Sequence, residues 1–207
     1  MLTQPGRAAD VRTSISDPLR IDSVMIPAIR ATPSFTLGIT LSPGLKSRGA
    51  HGKDWGRDMG LDLDAIETWR PTVIAHISNL YSEAFNLMRS RFTSERVHLV
   101  KTSSWPVPEV ASEIRSRDRT CRGIINLMRS LSLEDPSSSL RLLINGNHGG
   151  QECATLAAQV VMRAGHTRER SVELIEKIRP GLFNTVAQTR FLQACPVGNA
   201  EGVFDAS

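Results

Sequence analysis

An α/β fold around a mostly parallel central sheet flanked by helices is the class this chain predicts, and three observations carry it. Short apolar, β-branched runs alternate with helical stretches from residue 35 to residue 193. The connections between them are short, which favours strand–helix–strand units returning to one sheet. The chain has 207 residues, 40% of them hydrophobic and 22% charged, which suits one globular domain with a sizeable core.

Residues 1–33 scatter Pro5, Pro18, Pro27 and Pro33 among polar residues without a sustained period, and read as an N-terminal tail or irregular arm. The domain then runs from 34 to 193. Phe35–Leu41 is a strand ending at Pro43-Gly44. Leu63, Ile66 and Trp69 recur at helical spacing behind acidic residues, and Pro71 stops that helix. Residues 72–77 (TVIAHI) form a buried strand, 83–88 a short helix, and 97–100 a third strand followed by the loop 102–108. A long helix over 110–131 sets Ile114, Cys121, Ile124, Ile125, Met128 and Leu131 roughly on one face. The most hydrophobic strand, 140–144 (LRLLI), runs into Asn145-Gly146-Asn147-His148-Gly149-Gly150-Gln151. That loop opens a helix over 152–164, closed by Gly165; helices over 168–178 and 186–193 follow, and 194–207 reads as a short C-terminal tail.

Several function classes fall away. No apolar run approaches the roughly 20 residues of a membrane helix, and no basic-then-apolar pattern opens the chain. The net charge of +4 alternates in sign; its densest stretch, Arg115, Arg117, Arg119 and Arg122, is broken by Asp118 and suits a solvated helix face. Aromatic residues are only 5%, so nucleic acid is not the favoured partner. Cys121, Cys153 and Cys195 are an odd set without metal-ligand spacing, which fits a reducing cytoplasm and predicts no metal and no cofactor.

A strand, a glycine-rich loop and a helix form a recurring anion cradle, because loop N–H groups and the helix N-terminus converge. The loop is not a phosphate-binding Walker loop, since no Lys-Ser/Thr follows its glycines, and it lacks a spaced dinucleotide fingerprint. From about Leu37 to Leu192 the chain resembles the cysteine-dependent protein tyrosine phosphatase superfamily, in its small bacterial dual-specificity type. The residues carrying the resemblance are Leu37-Gly38-Ile39-Thr40, Pro43-Gly44-Leu45-Lys46, Arg57-Asp58, Leu61 to Ile66, the strand at 72–77, the strand–loop–helix at 140–165, and Ile178-Arg179-Pro180-Gly181 with Thr185 and Gln188. The resemblance covers roughly three quarters of the chain in the right order.

That family's loop reads His-Cys, five residues, Arg, Ser/Thr; its thiolate attacks phosphorus and its arginine grips two phosphoryl oxygens. Here the histidine position is Asn145, the nucleophile position Gly146 and the arginine position Glu152, followed by Cys153. The general-acid position, counted back from Pro108, is Ser104, with Ser103 or Glu109 at a shifted register. Replacing a guanidinium by a carboxylate about 4 Å from a bound anion swings the interaction by about 8 kcal/mol at an effective dielectric near 20, an upper-end figure. A helix terminus returns only ~0.3–2 kcal/mol. Repulsion wins, and the loop is expected to reject a phosphate dianion.

Two functional readings stay open. One is a catalytically inactive, hydrolase-like pseudophosphatase: a soluble cytoplasmic binding or regulatory module with a protein partner, a second copy of itself included. The other is a phosphatase or other hydrolase with re-tooled loop chemistry on His148, Glu152 or Cys153. For Cys153 the plain alternative is a small buried filler, and for His148 an exposed loop residue.

Overall fold

A computed structural model describes residues 11–47, 55–78, 83–93, 97–103, 111–146 and 150–197. Five strands form the main sheet: β1 (Asp22–Ile26), β2 (Phe35–Leu41), β5 (Val73–Ser78), β6 (His98–Ser103) and β7 (Arg141–Gly146). Their spatial order is β1-β2-β7-β5-β6; β1 runs antiparallel to β2, and the other neighbours are parallel. A two-residue pair, β3 (Lys46–Ser47) with β4 (Trp55–Gly56), stands apart. Six helices complete the described fold: α1 (Met59–Trp69), α2 (Glu83–Phe92), α3 (Ala111–Glu134), α4 (Gln151–Ala164), α5 (Arg168–Ile178) and α6 (Val186–Ala194). The mostly parallel α/β class is as the sequence predicts.

Alternation along the strands divides the core in two. Val73, Ala75 and Ile77 of β5, with Leu142 and Ile144 of β7, face α3 to α6. Ile74 and Leu143 face the other way, against Leu63 and Ile66 of α1 and Met88 and Phe92 of α2. Helix α4 is buried continuously from Cys153 to Met162, and the two polar residues in that run, Thr155 and Gln159, are hydrogen-bonded. It ends at Gly165, whose φ of +118° is the left-handed conformation that glycine adopts without strain.

The segment read as a tail or irregular arm holds a strand. Within 1–33, β1 pairs Asp22 to Ile26 with Ile39 to Phe35, and the Ile26 side chain is fully buried. The five residues of β1 are too few to display a period, so pairing with β2 decides the conformation. The same holds past residue 193: Cys195 is buried and accepts a hydrogen bond from Gln159 Nε2 at 3.0 Å.

The arm is also pinned by charge. Arg57 and Asp62 are both buried and paired at two nitrogens, 2.8 and 2.7 Å. Arg57 donates further to the Asp17 carbonyl at 2.8 Å, while Ser14 Oγ and the Gly44 amide donate to Asp62 at 2.8 and 2.9 Å. A buried ion pair holds its place only when its remaining donors and acceptors are matched in this way.

Candidate functional site

In open parallel sheets ligands bind beyond the carboxyl ends of the strands. Here β7 lies between β2 and β5, so the loop leaving it emerges at the middle of that edge. Gly146, the last residue of β7, pairs with Leu41 on one side and Ile77 on the other. It is buried, and a Cβ built on it lies 3.1 Å from Cys153 Sγ and 3.3 Å from Ile77 Cβ. The thiol of α4 thus crowds the space that a side chain at 146 would enter.

Asn147, His148 and Gly149 lie outside the described residues, as do Ser104 and Glu109. Ser103 ends β6. Gly150 caps α4, its carbonyl accepting from the Ala154 amide at 3.0 Å. Gln151 is exposed and donates to Asn184 Oδ1 at 2.6 Å, and Glu152 sits half-buried in the first turn. Cys153 is fully buried; burial first, then the Glu152 charge, pushes its thiol up to about 12, with Arg179 pulling weakly the other way. Such a thiol is almost wholly protonated at neutral pH and a poor nucleophile.

The histidine position of the resemblance holds Asn145, and its neighbour on β5 is His76, a residue the sequence reading passed over. Both are fully buried, and His76 Nδ1 donates to Asn145 Oδ1. Asn145 Nδ2 in turn points at Met88 Sδ, 3.7 Å away. Burial lowers the His76 pKa, and the Lys101 charge adds to this, while the Asn145 bond opposes it. Thr40, Asn145, His76 and Lys101 occupy one register row across four strands, a polar band beneath the loop. The one signal available in the sequence was a lone histidine inside the apolar run 72–77.

The exit of the loop is braced by α6. Thr185 and Gln188 form a capping box on α6. Gln188 Nε2 also approaches Thr155 Oγ1 at 3.2 Å, the Leu182 carbonyl at 3.0 Å and the Gln151 carbonyl at 3.4 Å. The Ile178-to-Gln188 stretch therefore fastens the first turn of α4 in place.

With this geometry the chain has a protein tyrosine phosphatase fold. It is similar to a Leishmania major protein described as a protein tyrosine phosphatase, with a TM-score of 0.58 and 15% identity over 84% of this chain and 99% of that one. The human tyrosine phosphatase-like serine/threonine/tyrosine-interacting protein aligns at a TM-score of 0.47 and 15% identity, over 82% of this chain and 93% of that one. Human DUSP28 aligns at 0.47 and 12% identity, over 82% and 90%. No protein-family model matches the sequence, and no curated protein matches it. Among the described residues no helix is long and apolar enough to cross a membrane.

Proposed function

We propose that the chain is a catalytically inactive, phosphatase-like protein that works as a binding or regulatory module. The reading rests on Gly146. By its resemblance to the phosphatase loop this is the nucleophile position; it carries no side chain, and Cys153 Sγ stands 3.1 Å from where a Cβ would be. Glu152 supports the same reading, since a carboxylate where the resemblance expects a guanidinium repels a phosphoryl group. Of the residues the re-tooled alternative could use, His148, Glu152 or Cys153, the buried thiol of Cys153, raised to about 12, argues against a Cys153 nucleophile.

Turnover of an aryl phosphate by the full chain, with and without orthovanadate, tests this directly. No vanadate-sensitive rate is expected. A rate that survives rigorous repurification and disappears in Gly146→Ala overturns the proposal. Gly146→Cys alone is expected to remain inactive, because the new thiol meets Cys153 and has no arginine at 152.

A further inference from the structure

We propose that a phosphate- or sulfate-type oxyanion binds in an arginine-lined cavity between the N-terminal arm and the end of α5, beside the β7 loop rather than in it. The cavity measures about 240 Å³, and Arg12, Arg20, Arg57 and Arg179 line it together with Asp17 and Asp22. Its inner wall includes Leu41, the β2 residue in register with Gly146. Among the described residues the cavity shares none with the loop, and Arg179 lies near enough to Cys153 for its charge to act there.

Three of the four guanidinium groups are held before any ligand arrives. Arg57 is clamped by Asp62 and the Asp17 carbonyl, Arg179 Nε donates to Asp22 at 2.6 Å, and Arg12 donates to Asp17 at 3.2 Å. Anchored guanidiniums lose little freedom on binding, and their planar forks match tetrahedral oxyanions. Counting Asp62 behind Arg57, three carboxylates balance three arginines, and Arg20 remains as an exposed cation without an ion pair among the described residues. The net positive charge selects an anion. The volume selects a small one, since sites for drug-sized ligands run to about 300–1,000 Å³. At the neighbouring loop Glu152 repels the same ion. The inference holds whether or not the chain has lost catalysis.

The test is calorimetric titration of the full chain with inorganic phosphate, against chloride at matched ionic strength. Saturable phosphate binding is expected, weakened about tenfold in Arg20→Glu. Because Arg20 is exposed, that variant should melt at the wild-type temperature without phosphate. Arg179→Gln should weaken binding similarly, and Glu152→Gln should leave it within about twofold. Phenyl phosphate run alongside separates sources: affinity like that of phosphate assigns the cavity to a terminal phosphoryl group, exclusion to the free ion. Equal responses to chloride, no saturation, or binding that persists in Arg20→Glu while strengthening in Glu152→Gln would overturn the proposal.

Discussion

Gly146 and Cys153 are coupled, and each explains the other. A methyl group at 146 needs the Cys153 sulfur, 3.1 Å from the Cβ position, to shift in a packed core. Gly146→Ala should therefore destabilise by about 1–3 kcal/mol. Cys153→Ala in the same chain should recover part of that loss, a non-additivity of about 0.5–3 kcal/mol in urea melts. The thiols make a second prediction. Burial pushes Cys153 up to about 12 and Cys195 up to about 11, and raises Cys121 still further. A colorimetric thiol reagent should label none of the three in the native chain near neutral pH, and all three in denaturant. Fast native labelling of Cys153 would contradict the burial argument. His76 supplies the pH dependence. Its folded pKa lies below the ordinary 6.5, so the unfolded chain takes up the proton first. Stability should be full above about 6.5 and fall as the pH drops towards the folded value. Thermal midpoints across mildly acid pH should decline less steeply in His76→Gln.

At the scale of elements, the arm and α6 both act through side chains that reach the sheet's carboxyl edge. Ser14→Ala removes a donor from the fully buried Asp62, which should cost about 1–3 kcal/mol, read as a fall in the melting temperature. Trimming the first 20 residues should cost more, because Arg57 then also loses the Asp17 carbonyl. An unchanged midpoint after trimming would show that water replaces these partners without penalty. The sequence of this stretch, read as a tail or irregular arm, shows no strand signal for a definite reason. Of the five β1 residues only Ile26 is buried, so an edge strand leaves almost no hydrophobic pattern. Thr185 and Gln188, by contrast, stand out in the sequence as part of the signature, with Ile178 to Gly181, that carries the phosphatase resemblance. What the signature could not convey is that Gln188 reaches back to the first turn of α4.

Across the whole molecule, β7 is the strand on which everything converges. It pairs with β2 and β5, and its residues join both halves of the core, Leu142 and Ile144 on one face and Leu143 on the other. Amide exchange at Leu142 to Asn145 and at Val73 to His76 should then require global unfolding and be the slowest in the chain. β1, an edge strand with exposed Ser23 and Met25, should exchange much faster. Equal rates in β1 and β7 would mean that the arm belongs to the same cooperative unit as the centre.

The sequence by itself determined the α/β class, because alternating strand and helix periods are local properties that neighbouring residues display. The identities Asn145, Gly146 and Glu152 are likewise fixed by sequence, and the roles proposed for them rest on the position that the resemblance gives each along the loop. Tertiary structure alone decided three things. It brought β7 between β2 and β5, a matter of long-range pairing. It set His76 against Asn145, which are 69 residues apart and meet only through strand register. And it gathered Arg12, Arg20, Arg57 and Arg179 around one hollow, four arginines too widely spaced for any charge pattern along the chain to reveal.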